Sequence, residues 1–384
     1  MEKKSRKRKA ATIPPFSFDE LSQDLLERVL SWLPASSFLR LRSVCKRWRS
    51  VSSSPSFRLA CSQIPSRDPW FLMVDEDLDQ SIIYDASEGD WKKIPTGRHQ
   101  IPVASSGSLV CFRDSAGVLT LRNPVTGAAR ELPPAATTQP LLAIAMSSTH
   151  RVIILISGEL SDLSFTVLDP DKNQWEKGAS LARKQGSSPE SDRDDGEAVY
   201  FLNKTGDVMA ANMQRNPSKE FSSVTTFDQG EEIVFFLSHS GTVVACNLCR
   251  RTFQEYPRLL PISSEYSIDL VASKGEMMAV VLSEFFETAS LRIWRFCVGD
   301  SSWRQVTALP PAMSHEFYGK KADVNCVGCG SLIFVCVNSS ELCRNVMYNV
   351  EEDEWAELPK CLVEGKEQEF VSAFSFEPRL EVSL

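Results

Sequence analysis

A strand, turn and aromatic unit recurs through most of this 384-residue chain, and no other feature restricts its fold so strongly. In the two clearest copies Trp follows Tyr by seven residues and Pro follows Trp by four: Tyr84-Trp91-Pro95 and Tyr348-Trp355-Pro359. Most neighbouring aromatics are separated by roughly 40 to 50 residues, the period of a four-stranded propeller blade. The repeat therefore predicts an all-β propeller.

Weaker copies of the unit occupy residues 118–133, 165–175, 243–257 and 293–310, and a degenerate seventh lies in 206–221. Each central turn is typical of a β-hairpin whose aromatic begins the outgoing strand and covers the apolar layer between blades. We expect Trp91 and Trp355 to be structural equivalents and largely buried. The last apolar run, 370–376, is expected to pair near Trp70 and close the ring, which removes exposed sheet edges.

A different pattern precedes the repeats, in residues 19–61. Apolar residues recur at helical spacing up to Pro34, with Ser22 or Asp24 available as the cap, and a second run behind Ser36 extends to Trp48 before Pro55 interrupts it. We expect three short helices, which are too few to bury all of their apolar faces. Some of that surface must face a partner or the neighbouring domain, and Trp48, flanked by basic residues, is typical of an interface anchor.

This helical segment resembles the F-box, through Leu25-Leu26, Val29-Leu30, Leu33-Pro34 and above all 44–49 (VCKRWR) followed by 54–57 (SPSF). It departs from the family at Leu21-Ser22, where Leu-Pro is usual; Ser is itself a good helix cap. An ordinary helical hairpin packed on the large domain is the alternative. The resemblance implies docking to a Skp-type adaptor and through it a cullin, by Leu25, Leu26, Val29, Leu30, Leu33, Pro34, Leu41, Val44, Cys45 and Trp48.

The repeats resemble kelch-type repeats in the divergent form of the plant F-box/kelch-repeat family, although the paired glycines of that repeat are mostly missing, with Gly328 and Gly330 the nearest approach. The resemblance implies a small all-α F-box followed by an all-β kelch-like propeller of six or seven blades. The expected division is a disordered basic tail at 1–15, the F-box at 16–61, a linker at 62–69 and the propeller at 70–384.

Charge is distributed unevenly along the chain. The whole chain has a net charge of −8, the first nine residues contain six basic residues and one acid, and residues 10–61 contain seven basic residues and four acids. Residues 62–384 therefore hold 29 basic and 45 acidic residues, a net charge of −16. This excess disfavours nucleic-acid binding by the large domain and favours a basic protein partner, unless the charge serves only solubility.

Several features bear on the compartment. The basic start of the chain is typical of a nuclear-import signal, or alternatively of a solvated tail. No apolar run reaches the ~20 residues that span a bilayer, and the start of the chain lacks the apolar stretch of a secretory signal. Eleven cysteines, an odd number, occur mostly in apolar strands, which favours a reducing compartment. We expect a soluble protein of the nucleus, the cytoplasm or both, with no membrane partner.

Signatures of catalysis are weak. Cys246 and Cys249 have the spacing of half a zinc site, as do Cys326 and Cys329, but 76 residues separate the pairs. The four histidines are isolated, and no phosphate loop or nucleophile motif occurs. We expect no cofactor, no metal and no enzyme activity, but an adaptor whose propeller holds a protein substrate for ubiquitination. The alternative is a non-degradative propeller protein that binds a transcriptional or signalling partner. Candidate substrate-binding segments are 182–197, 284–287 and 315–321.

Overall fold

The computed structural model describes residues 21–74, 81–94, 100–135, 139–147, 153–169, 172–184, 200–202, 208–210, 219–238, 241–260, 266–285, 287–382 and 384. The chain divides into two compact units, with the division between Ser66 and Arg67. The first unit is helical over its described residues, and the second is built mainly of strands. This confirms the predicted order of a small helical module followed by an all-β domain. No helix within the described residues is both long enough and apolar enough to cross a membrane.

The described residues of the helical unit form four helices where the sequence predicted three: α1 (Gln23–Ser31), α2 (Ala35–Leu41), α3 (Lys46–Val51) and α4 (Pro55–Ser62). The predicted second run is divided because the backbone at Cys45 is extended, with φ −150°. The Cys45 Sγ then accepts a hydrogen bond of 3.4 Å from the Trp48 backbone N–H and caps α3. Ser22 is confirmed as the cap of α1, and its Oγ accepts from the Leu25 N–H at 3.4 Å.

Among the described residues of the large unit, the strands form six antiparallel groups of four, numbered sheets I to VI along the chain; sheets III and IV are joined into one eight-stranded sheet by a short parallel pairing of Ala182 with Thr252 and Arg183 with Phe253. Sheet I contains β1 (Trp70–Val74), β2 (Ser81–Asp85), β3 (Asp90–Ile94) and the last strand, β28 (Ser372–Phe376). Sheet II contains β4 (Gln100–Ser106), β5 (Leu109–Asp114), β6 (Leu119–Arg122) and β7 (Ala129–Glu131). Sheet III contains β8 (Leu141–Met146), β9 (Ile153–Glu159), β10 (Asp162–Asp169) and β11 (Gln174–Arg183).

A short pair, β12 (Tyr200–Leu202) and β13 (Val208–Ala210), follows. Sheet IV contains β14 (Ser223–Asp228), β15 (Glu231–Leu237), β16 (Val243–Asn247) and β17 (Thr252–Glu255). Sheet V contains β18 (Tyr266–Ser273), β19 (Glu276–Phe285), β20 (Thr288–Cys297) and β21 (Ser302–Ala308). The helix α5 (Pro311–Ser314) and a 3-10 turn (His315–Phe317) lead to sheet VI. Sheet VI contains β22 (Asp323–Cys329), β23 (Leu332–Asn338), β24 (Cys343–Asn349) and β25 (Glu354–Glu357). A short hairpin of β26 (Leu362–Val363) and β27 (Lys366–Glu367) precedes β28.

The predicted closure of the ring is confirmed. Strand β28 pairs antiparallel with β1, from Trp70 opposite Phe376 to Val74 opposite Ser372. One strand from each sheet also contacts its counterpart in the next sheet, in the cyclic order β28, β4, β8, β14, β18, β22 and back to β28. These six strands, called the inner strands below, form a ring, and the space that they surround is called the central channel below. Buried apolar clusters lie between successive sheets, from II and III round to VI and I.

Each of the six predicted repeat copies forms the third and fourth strands of one sheet. Tyr84 lies opposite Trp91, and Tyr348 opposite Trp355, with ring centroids 5.0 Å and 4.7 Å apart. Trp91 and Trp355 are therefore equivalent, as predicted. Both are partly buried, and each packs against the apolar cluster between sheets VI and I or between sheets V and VI, in line with the expectation that they are largely buried.

The Trp side chains of this repeat connect neighbouring sheets through a shared hydrogen bond. The indole N–H of Trp91 donates to the Pro359 carbonyl at 2.8 Å, that of Trp175 to Pro133 at 2.7 Å and that of Trp303 to Pro257 at 2.7 Å. In each case the acceptor is the Pro that ends the preceding copy of the repeat. The sequence unit of Trp and Pro is therefore a contact between two sheets. The degenerate seventh copy, 206–221, lies mostly outside the described residues.

Candidate adaptor-binding surface

Helix α1 presents apolar residues on two sides. Leu26 and Leu30 are only 1% and 3% exposed, whereas Leu25 and Val29 are 55% and 49% exposed. Residues four apart lie on the same side of a helix, so the two pairs define an inner and an outer face. The outer face is the candidate site because large apolar side chains are held in water there.

Trp32 extends the outer face. It follows Leu25 by seven residues and Val29 by three, it caps the C-terminus of α1, and 67% of its surface is exposed. Among the described residues it is the most exposed large apolar side chain. Sequence reasoning missed Trp32, although its helical spacing from Leu25 carries the signal. We call Leu25, Val29 and Trp32 the outer stripe.

The remaining predicted contact residues differ in exposure. Val44 is 66% exposed and Pro34 is also exposed, whereas Leu33, Leu41, Cys45 and Trp48 are partly buried. Leu26 and Leu30 belong to the core of the helical unit, where Phe38 of α2 stacks on Phe57 of α4 with ring centroids 4.8 Å apart. The structure thus assigns these two leucines a packing role and takes them out of the candidate surface, because their side chains are needed inside.

A buried carboxylate fixes the orientation of α1 relative to α4. Glu27 is 4% exposed; its Oε1 accepts from the Gln23 amide at 2.8 Å and its Oε2 from the Ser56 hydroxyl at 2.5 Å. Burial by itself raises the pKa of Glu27, but hydrogen bonds from Ser56, Gln23 and Ser54 together outweigh it, so the pKa lies below the usual 4.5. Because Ser56 belongs to α4, this ionised side chain holds the outer face in place.

The surface of the helical unit is basic. Five exposed cationic side chains lie among its described residues: Arg28, Arg40, Lys46, Arg49 and Arg58. Arg47 is partly buried, and its guanidinium donates to the Leu21 carbonyl at 2.5 Å, which joins α3 to the start of α1. An apolar stripe on a basic unit suits a partner that has an apolar groove and an acidic surface.

On the large unit, two of the predicted substrate-binding segments lie together. The Glu284 carboxylate accepts from the Gly319 N–H at 3.0 Å, and Tyr318 next to it is 43% exposed. The chain here is braced by the Arg344 guanidinium, which donates to Glu316 at 2.9 and 3.2 Å. Of the segment 182–197, residues 185–197 lie outside the described residues.

The two cysteine pairs that have zinc-site spacing lie in different sheets. Cys246 is buried in β16 of sheet IV and Cys326 in β22 of sheet VI. Burial raises the pKa of Cys246 to about 12, so this thiol is protonated at neutral pH. Over the described part of the chain, no group of three or more His, Cys, Asp or Glu side chains is arranged to hold a metal ion.

Comparisons with known proteins match both units. Residues 18–60 match the F-box domain, and residues 83–328 match the KIB1-4 beta-propeller. The chain is 49% identical over 394 residues to F-box only protein 13 of Arabidopsis thaliana, an alignment that covers 96% of this chain and 86% of that protein. It is 26% identical to F-box only protein 6 of the same plant, over 90% of this chain and 70% of that protein.

A third relative carries the repeat in its name. The chain is 23% identical to F-box/kelch-repeat protein At5g43190 of Arabidopsis thaliana, over 91% of this chain and 84% of that protein. The helical unit, the sheets and the full-length similarity to F-box only protein 13 agree. This chain is an F-box protein of the plant family that joins an F-box to a β-propeller of the KIB1-4 type.

Proposed function

We propose that this protein is the substrate-recognition subunit of an SCF-type ubiquitin ligase. Its F-box would dock to a Skp-type adaptor, and through it to a cullin, while the propeller holds a protein substrate. The observation that carries the proposal is the outer stripe, three large apolar side chains that the F-box exposes on one side of α1. The protein itself would supply no catalytic group. Its contribution would be proximity, because a held substrate lysine has a high effective concentration near the ubiquitin-carrying enzyme.

Burial of apolar surface would supply most of the adaptor affinity. A central aromatic anchor in an interface typically contributes 2 kcal/mol or more, roughly a thirtyfold change in the dissociation constant. Trp32 has the exposure that such an anchor needs in the free protein, and Val44 and Pro34 add exposed apolar area. The basic side chains of the unit would speed the encounter with an acidic adaptor.

The test is adaptor binding by purified full-length protein, measured by calorimetry or surface plasmon resonance. Trp32→Ala should weaken binding about thirtyfold or more, and Leu25→Ala with Val29→Ala should add to the loss. Because these side chains are already in water, the melting temperature should hardly change. Val298→Ala is the matched control, since Val298 is 63% exposed but lies on the propeller.

Undiminished binding by the triple variant would refute docking through the outer stripe. A partly buried anchor is tested separately, because Trp48→Ala would remove packing as well as contact and should lower both stability and affinity. Failure of the wild-type protein to co-purify with an adaptor and cullin would instead favour a non-degradative interaction protein.

We infer that the six sheets are six blades, of a divergent kelch type. The six repeat copies, the cyclic contacts of the inner strands and the name of the third relative support this interpretation. The substrate is expected to have a basic contact face, since residues 62–384 have 29 basic and 45 acidic residues. Substrate affinity should then fall as salt rises from about 50 to 300 mM. Substrate affinity that does not change with salt would show that opposite charge does not determine recognition of the substrate.

We also propose that the protein enters the nucleus. The support is the basic start of the chain, with six basic residues in the first nine. A fluorescent fusion in which these lysines and arginines are replaced by glutamine should shift from the nucleus to the cytoplasm. Unchanged distribution would show that the basic residues are not an import signal.

A further inference from the structure

Lys219 is a buried lysine in the central channel. Only 5% of the residue is exposed, and its ammonium group donates to the Cys326 carbonyl at 2.7 Å. It also lies 3.4 Å from the Asp269 carboxylate and 5.3 Å from the centre of the Phe374 ring. These contacts belong to β22, β18 and β28, the inner strands of three successive sheets. A lysine is rarely buried unless a specific partner pairs with its charge.

The partners explain why the charge is tolerated. Inner strands have one edge without a neighbouring strand, so their N–H and C=O groups need other partners. The Asp269 carboxylate accepts from the Cys326 N–H at 2.6 Å, while Lys219 donates to the carbonyl of the same residue. The ion pair therefore satisfies both polar backbone groups of Cys326.

The residues that follow Lys219 satisfy the backbone groups of another inner strand, β8. The Phe221 carbonyl accepts from the Ile144 N–H at 2.9 Å, and the Ser223 hydroxyl donates to the Ile144 carbonyl at 2.8 Å. The turn between them is closed by a 3.0 Å hydrogen bond from the Ser222 N–H to the Lys219 carbonyl. Both polar backbone groups of Ile144, in β8, are thus satisfied by this short segment.

Strands β8 and β22 stand opposite each other in the ring. In the cyclic order of inner strands, two others separate them on either side: β14 and β18 one way, β28 and β4 the other. A segment that bonds to both must cross the channel. We propose that the turn 219–222, together with Ser223 at the start of β14, forms a built-in channel plug, with Lys219 as its cationic anchor, which braces opposite sheets and closes the channel to ligands.

The plug has a consequence for recognition, although the inference stands whether or not the proposed function is correct. The backbone groups of Ile144 in β8 and Cys326 in β22, which a ligand in the channel could otherwise bind, are already occupied by the protein's own chain. A partner would then bind outside the channel, on surfaces such as that of Tyr318. The arrangement also connects sheet III to sheet VI, which share no strand pairing.

Hydrogen exchange measured by mass spectrometry tests the plug, because it follows opposite sheets separately. In Lys219→Met the side chain keeps about the same length but loses its charge, and the turn 219–222 should separate from both strands. Peptides containing Cys326 and peptides containing Ile144 should both exchange about tenfold faster or more. Lys172→Met is the matched control, since Lys172 is an exposed, ion-paired lysine, and it should leave both peptides unchanged.

The outcome at Ile144 decides the proposal, since Lys219 does not bond to that strand. Faster exchange confined to Cys326 and its neighbours would show a local ion pair and overturn the plug, as would no change in either peptide. If Lys219→Met does not fold, the same exchange measurement is made on Ser223→Ala, which removes one hydrogen bond to Ile144 of the opposite strand. Faster exchange at Cys326 in that variant would support the plug, and an effect confined to Ile144 would overturn it.

Discussion

Gly328→Ala should destabilise the propeller through a single steric clash. A Cβ at this position would lie 2.1 Å from the Ala272 carbonyl oxygen and 2.7 Å from a methyl carbon of Val271. The oxygen belongs to the backbone of the neighbouring inner strand, so it cannot turn away as the end of a flexible side chain would. Hydrogen bonds to the Gly330 carbonyl, from the Ser273 hydroxyl at 2.9 Å and the Lys274 N–H at 3.1 Å, hold the strands at this spacing.

The magnitude follows from the required movement. Ordinary carbon contacts are about 3.5 Å, so β22 would have to retreat from β18 by about 1.4 Å. Overpacking of this kind costs about 3 kcal/mol, and replacing Gly by Ala returns about 0.5 kcal/mol through the unfolded state. The net loss of about 2.5 kcal/mol should lower the melting temperature of the large unit by about 5 °C.

Gly299→Ala is the matched control. A Cβ there has no heavy atom within 4 Å, and its φ lies outside the left-handed region, so the substitution should be neutral or slightly stabilising. Both variants are compared with wild type by thermal unfolding followed by near-UV circular dichroism. Equal melting temperatures for the two variants would refute the steric argument and mean that β18 and β22 separate freely.

Three further changes have distinct expected results. Trp91→Phe keeps an aromatic ring but loses the hydrogen bond to Pro359, and should lower the free energy of unfolding in urea by about 1 kcal/mol. Trp355→Phe should cost less, because its indole N–H makes only a long hydrogen bond, 3.4 Å from the Thr307 hydroxyl. The pKa of Glu27 is lowered, so ionised Glu27 stabilises the folded state fully above pH 4.5, and this stabilisation is lost as the pH falls through the lowered pKa. The difference in melting temperature between wild type and Glu27→Gln should therefore disappear on acidification. Asn123→Ala should cost about 2 kcal/mol of unfolding free energy, because the buried amide donates to the Arg379 and Val382 carbonyls at 3.0 and 3.2 Å.

The parts of the fold that sequence predicted were local and repeated. The spacing of Tyr84 and Trp91 reflects one hairpin, whose two residues face each other across the turn, and the same spacing recurs at Tyr348 and Trp355. Helical spacing likewise identified α1. Both patterns arise from the geometry of residues that are close in sequence, so one amino-acid sequence is enough to reveal them.

The parts that sequence did not predict depend on distant contacts. Nothing in the sequence near Lys219 indicates that it pairs with Asp269 and Cys326, which lie 50 and 107 residues further along the chain. The parallel pairing of Ala182 with Thr252 at the edge of sheet IV is equally remote. At the candidate site, the sequence analysis placed Leu26 and Leu30 among the adaptor-binding residues, whereas the structure buries both. The pattern shows that both faces of α1 are apolar but not which one packs inside.

The pairing of β28 with β1 also determines the order in which the protein can mature. Synthesis delivers the F-box first, and its short-range helices can form while the rest is still being made. The first sheet must wait for Phe376, because Trp70 finds its partner only at the far end of the chain. A premature stop shortly before Ser372 would therefore leave a nascent product with a complete F-box and an open first sheet. Such a product would keep the F-box while presenting an apolar edge at Phe71 and Leu72, so under the proposed function a late truncation should behave as an aggregation-prone competitor for the adaptor and not as a mild loss of function.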